Sequence, residues 1–324
     1  MRPIQSACRR LWLATGACLA LPATAQVTFP VSFDATAVGL TAPERDAITS
    51  HVQAAGQRWM SVLELAGPRS IEIQIGINDA FPTANGGSIT SVFVATDGGR
   101  NRLEQSAAAE LRSGIDPNGA TADARITFNT NYLRNELWFD PAPVARSANV
   151  PNDRTDAMSV LMHELGHVLA YNGWANGQGV APPTFWSTFD RWMMPGAPTL
   201  FAGPAVLVQF GGAPDLTTNN IHHWHNGPVV RKSQRAATPL QWRDGVPVPM
   251  PGCDGIPSAD LLNSPRSTRA KGNPPAGLLG ELMNGVAFYR GTRYEVSALD
   301  ITVLEDVGLP AQDFTVFENG FEGG

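Results

Sequence analysis

An α+β fold is the class this sequence predicts, and three observations predict it. Ser70 to Asn78 alternates apolar and polar residues with the period of a half-buried strand. Residues 42–65 and 156–171 instead carry apolar positions at helical spacing. From 173 to 280, Gly, Pro and Asn dominate and periodic stretches are few, so that half reads as irregular.

Each element follows in chain order. Arg2, Arg9 and Arg10 precede a short apolar run, Leu11 to Leu21, and Ala23-Thr24-Ala25 supplies small residues before Gln26. That order predicts a secretory signal peptide over 1–25, cleaved near Ala25, leaving an extracellular or periplasmic protein. Val27, Phe29, Val31 and Phe33 predict a strand over 26–34. Thr41-Ala42-Pro43-Glu44 is a helix start, with a threonine cap, an early proline and a first-turn acid. Ile48, Val52, Ala55, Trp59, Val62 and Leu63 then keep helical spacing to about Leu65, with Pro68 as the stop. Ser88 to Ala95 and Ala124 to Phe128, rich in Ile, Val, Phe and Thr, are further strands. The first of these is the expected exposed sheet edge. A Pro/Asn/Asp loop over 140–154 leads into a helix from about Asp156 to Tyr171, which Asn172-Gly173 terminates. Ser297, with Asp300 three residues on, forms a capping box for a last helix to about Val307. The tail 311–324 is expected to be loosely held. The resulting division is an N-terminal subdomain 26–172 and a C-terminal subdomain 173–310.

Composition narrows the function. The chain has 324 residues, 43% hydrophobic and 16% charged, which is ordinary for a globular protein. Loss of three arginines with the signal peptide moves the net charge from −6 to about −9. An acidic chain without a basic run offers no electrostatic case for nucleic acid or an anionic membrane. Cys8 and Cys18 leave with the signal peptide, so Cys253 stands alone and neither a disulfide framework nor a cysteine metal site is expected. A monomer is the expected state.

The chemistry is carried by His163-Glu164-Leu165-Gly166-His167. Residues four apart on a helix share a face, so His163 and His167 offer two ring nitrogens to one ion, and Glu164 is offset toward a water. Ala157, Met158, Val160, Leu161, Met162, Leu165, Val168 and Leu169 make the helix apolar nearly all round, hence buried. Two imidazoles and a carboxylate there are costly unless paired or metal-bound. A catalytic Zn2+ needs a third protein ligand. No glutamate occurs between Leu165 and Gly280, whereas His222, His223 and His225 cluster in I-H-H-W-H.

These segments, followed by Glu281-Leu282-Met283-Asn284 and by Ser297 to Leu309, together resemble the metzincin zinc metallopeptidases. The order is most similar to the leishmanolysin-like group and its bacterial relatives. The resemblance covers about fifty residues. It implies a twisted mixed sheet with two helices, then an irregular subdomain with a methionine turn and a final helix. It further implies His163, His167 and His223 as zinc ligands, Glu164 as general base in peptide-bond hydrolysis, and Met283 beneath the metal. His223 takes that place through the His-Trp pair, with His225 second and His222 third. Tyr289 or Tyr294 is the expected oxyanion helper. Ala170 and Gly173 stand where the group's compact motif has a glycine and its third histidine, so the third ligand comes from outside the helix. Three readings besides the peptidase stay open: a zinc hydrolase of non-peptide substrates, a binding module with a vestigial metal site, and a chance motif in a metal-free scaffold.

Overall fold

The computed structural model describes residues 26–224, 240–243, 246–249, 278–285 and 288–312. Expectations for the segment 1–25, for Cys253 and for His225 lie outside them. The fold is mixed α+β, with several small sheets and six helices among the described residues.

The longest helix, α1 (Ala42–Met60), starts where sterics and capping favour it. Thr41 accepts from the Glu44 N–H, Glu44 reaches back to the Thr41 N–H, and Pro43 lies in the first turn. Ile48, Val52, Ala55 and Trp59 share one face and are fully buried, each of the larger ones contributing about 2 kcal/mol. The helix stops at Met60, short of the expected Leu65.

Two short strands, β1 (Val27–Thr28) and β2 (Val31–Phe33), replace the expected single strand over 26–34. Pro30, which has no N–H to donate, sits in the break. The expected strand over 70–78 likewise divides into β3 (Arg69–Ser70) and β4 (Ile73–Ile77), because the Glu72 N–H donates to the Asp123 carboxylate (2.8 Å). The principal sheet also takes in β5 (Ala84–Ser88) and β8 (Ala124–Phe128), in the order β2-β4-β8-β5. Only β5 runs antiparallel; it forms one edge and β2 the other.

The stretch expected as an edge, 88–95, does lie at a sheet edge, but not of this sheet. Most of that stretch belongs to β6 (Ser91–Asp97), which pairs with β7 (Arg100–Gln105) in a separate three-stranded sheet. The β5 edge strand, Ala84-Asn-Gly-Gly-Ser, has poor strand propensity and reads as a turn. Tertiary packing explains it: a Cβ on Gly86 would lie 2.7 Å from both the Cβ and the backbone oxygen of Glu164. Only a glycine allows that approach.

Helix α2 (Ser106–Ser113) packs against β6 and β7, and α3 (Thr130–Asn135) follows β8. The strand pair β9 (Leu137–Trp138) and β10 (Thr155–Asp156) then delivers the chain to α4 (Ala157–Leu169), all thirteen residues of which are buried. Asp156 caps α4, accepting from the Ser159 N–H (3.1 Å) and hydroxyl (2.6 Å). The Trp59 indole donates to the Met162 carbonyl (2.8 Å), locking α1 against α4.

The second half is built from short pairings. Strand β11 (Phe185–Ser187) adds to β7, and β12 (Met193–Met194) pairs with β13 (Leu200–Phe201). After α5 (Pro204–Phe210), the strands β14 (Leu216–Thr217) and β15 (Asn220–Trp224) form a hairpin. A further hairpin joins β16 (Leu240–Arg243) and β17 (Val246–Pro249). The final helix α6 (Ala298–Val307) has the expected capping box between Ser297 and Asp300. Asp306 accepts from the Ala205 and Val206 N–H groups (2.8 and 3.0 Å), so α6 caps α5. Of the expected loose tail, Ala311 bridges to Leu63 and the Gln312 N–H donates to the Val62 carbonyl, while 313–324 lie outside the described residues.

Candidate metal centre

Three imidazoles meet on the buried face of α4. His163 and His167, four residues apart, project from α4, and His223 comes from β15. Their Nε2 atoms lie 3.2, 3.2 and 3.0 Å from one another. The other ring nitrogen of each faces a backbone carbonyl: His163 Nδ1 that of Leu282 (2.7 Å), His167 Nδ1 that of Tyr171 (2.6 Å), and His223 Nδ1 that of Asn220 (3.2 Å). A carbonyl only accepts, so each Nδ1 carries the proton and each Nε2 presents a lone pair. Three lone pairs at about 3 Å repel unless a cation stands among them.

Electrostatics favour the same state. Burial pushes His163 down to about 4 and holds His167 and His223 well below the ordinary imidazole range, so all three are neutral at pH 7. Among the described residues they form a group that could hold a metal ion. Glu164 points to β5, where the Gly86 N–H favours its charged form, yet burial prevails and raises its carboxyl to about 8.

Local sequence explains how these groups are aimed. The expected run of the helix to Tyr171 does not occur: α4 ends at Leu169, and Ala170 leaves helical geometry (φ −144°). That turn brings the Tyr171 carbonyl back onto His167. Gly173 then passes so close to the Asp190 carboxylate that a Cβ there would collide with it. His223 is located through its neighbour Trp224, whose N–H donates to the Met283 carbonyl (2.9 Å) and whose carbonyl accepts from the Gly285 N–H (3.2 Å). Met283 is fully buried beneath α4. Gly166 makes room for it, since a Cβ there would strike the Met283 sulfur and lie 3.2 Å from the Trp59 ring.

His222 is turned to a different task, its Nε2 lying 3.1 Å from Asp190 Oδ1. The rings of His222 and His223 diverge because successive strand residues face opposite sides. Tyr294 is buried, and its hydroxyl accepts the Tyr289 N–H (3.1 Å). Behind the centre, Asp300 accepts from the Tyr171 hydroxyl (3.0 Å) and the Trp224 indole (3.4 Å). Burial raises Asp300 to about 6, and burial together with Asp300 holds the Glu281 carboxyl well above the carboxylate range. Sequence reasoning missed Gly86, Tyr171 and Asp300 as parts of this assembly. Gly86 has no strand signature, and a backbone carbonyl has no residue type to recognise.

Comparison with protein-family models, with curated proteins and with solved structures yields no match to this chain.

Proposed function

We propose that this chain is a zinc-dependent endopeptidase of the metzincin type, with His163, His167 and His223 as ligands and Glu164 as general base. The observation that carries the reading is the convergence of three oriented, neutral imidazoles on the helix that also carries the buried Glu164. Zinc bonds imidazole nitrogen at about 2.0–2.1 Å, which in tetrahedral geometry puts two ligand nitrogens about 3.3 Å apart. The Nε2 separations of 3.0–3.2 Å suit that ion. Three histidines among the described residues, which would leave one place for water, make a catalytic rather than a closed donor set.

A zinc ion there supplies a Lewis acid for the scissile carbonyl and acidifies the attacking water. Glu164 takes the proton released as that water attacks and delivers it to the leaving amine. The Gly86 N–H holds the carboxylate in place, and the neighbouring polar groups of the β5 edge are suited to pair with an extended peptide. Met283 and the Leu282 carbonyl fix the orientation of α4 and of His163.

The test is Glu164→Gln. The variant is expected to retain one zinc per chain and to lose casein cleavage. Cleavage at the parental rate would overturn the assignment.

A further inference from the structure

A second cluster of ionisable side chains lies away from the histidines, where β3, β4, β8 and α2 meet. Glu72, Glu110 and Asp123 present carboxylate oxygens within 4.8 Å of one another. Asp123 is fully buried and Glu110 is 5% exposed. Asp123 Oδ2 accepts the Glu72 N–H (2.8 Å), but Asp123 Oδ1 has no hydrogen-bond partner. Glu110 Oε2 is also buried without one, while the Ser70 N–H serves that carboxylate elsewhere. Two buried carboxylate oxygens, one each from Asp123 and Glu110, thus lack a hydrogen-bond partner in a cluster that also holds the half-buried Glu72. The Ser70 hydroxyl donates to Glu72 Oε1 (2.6 Å) and adds a neutral oxygen to the rim.

The neighbouring Arg69 does not compensate them. Arg69 directs Nε to the carbonyls of Glu110 (3.2 Å) and Leu111 (3.3 Å) and an Nη to that of Pro68 (2.8 Å). Asp116 adds further negative charge near Glu110. Left alone, such carboxylates repel and burial penalises their charge; accordingly Glu110 is raised and Asp123 is raised to about 7. A cation removes both penalties at once. Ser70, Glu110 and Asp116 also line a surface cleft, which gives an ion a way in.

We propose that Glu72, Glu110 and Asp123 form a calcium site separate from the histidine centre. Donors that are all oxygen, mostly carboxylate and drawn from three separate segments suit a hard cation of adaptable geometry. The site ties α2 to the entries of β4 and β8. It also reaches the edge strand: the Asp123 carbonyl accepts the Ser88 hydroxyl (3.1 Å) and the Ile89 N–H (2.8 Å) at the end of β5. The inference stands whether or not the chain is a peptidase.

The test titrates full-length protein, freed of alkaline-earth ions, with CaCl2 by calorimetry and follows thermal unfolding. One Ca2+ per chain is expected, with Kd on the order of 10⁻⁴ M and a rise in Tm of about 5 °C at millimolar calcium. MgCl2 should give less than about a third of that rise, because Mg2+ dehydrates reluctantly. The Glu110→Gln/Asp123→Asn variant should lose both the heat and the shift, and His223→Ala should keep both. If the double variant does not fold, Glu110→Gln alone, which keeps an acceptor for the Ser70 N–H, should bind at least tenfold more weakly. The proposal is overturned by an absence of heat and shift in the parent, which would mean that the carboxyls share protons instead. Calcium binding that survives the substitutions, or an equal response to Mg2+, overturns it as well.

Discussion

Replacing Gly86 by alanine tests whether the edge strand rests on the helix that carries the histidines. The added Cβ would stand 2.7 Å from both Glu164 Cβ and the Glu164 carbonyl oxygen, and 3.1 Å from the carbonyl carbon. Ordinary contact between such atoms is about 3.5–4.0 Å, so β5 or α4 must give way by roughly 1 Å. Overpacking of this kind costs about 1–3 kcal/mol. Reduced freedom of the unfolded chain returns about 0.4–1 kcal/mol, so a net loss of about 1–2 kcal/mol is expected. The same shift separates the Gly86 N–H from Glu164, and a 1 Å misplacement can lower catalysis about 100-fold. Gly87→Ala is the control. There the added Cβ meets only the Asn172 side-chain nitrogen, at 3.2 Å, and that amide can swing away. Denaturant midpoints, zinc content and kcat/KM on a peptide substrate would be measured for both. Zinc should remain at one per chain in each, because neither substitution touches an imidazole. A Gly86→Ala protein as stable and as active as Gly87→Ala would refute the packing of β5 on α4.

Three further expectations follow from particular contacts. His223→Ala should weaken zinc binding at least 100-fold while leaving the fold intact, as read by competition with a zinc-sensitive dye and by circular dichroism; unaltered affinity would remove His223 from the ligand set. Arg146 is buried with Asp156 (2.8 Å) and also pairs with Glu295, so Arg146→Met should destabilise by about 3 kcal/mol in chemical denaturation by leaving two carboxylates behind. The Arg134 hydrogen bond and the Thr41 N–H lower Glu44 to about 2. A depressed carboxyl stabilises above its unfolded value of about 4.5 and loses that contribution as pH falls toward 2. Glu44→Gln should therefore cost about 1 kcal/mol at pH 7, discounted for partial exposure, and almost nothing at pH 2; a cost independent of pH would show that charge plays no part.

The sequence alone determined the features that depend on local periodicity and capping. Thr41 with Glu44 and Ser297 with Asp300 start α1 and α6 where the pattern says, because a capping box satisfies backbone groups within three residues. The His163/His167 pair was legible for the same reason, since helical spacing alone puts both rings on one face. I-H-H-W-H could be named as the source of a third imidazole but not resolved to one residue by chemistry. Tertiary structure separated His223 from His222: Trp224 hydrogen-bonds to the Met283 segment, and strand alternation turns His223 toward α4 and His222 toward Asp190. The edge strand was hidden because Gly86 is there to allow an approach to Glu164, 78 residues later, and no window along the chain contains both partners. The carboxylates of Glu72, Glu110 and Asp123 were equally invisible. Each looks like an ordinary surface acid until β4, β8 and α2 bring them together, and only burial then deprives their oxygens of water.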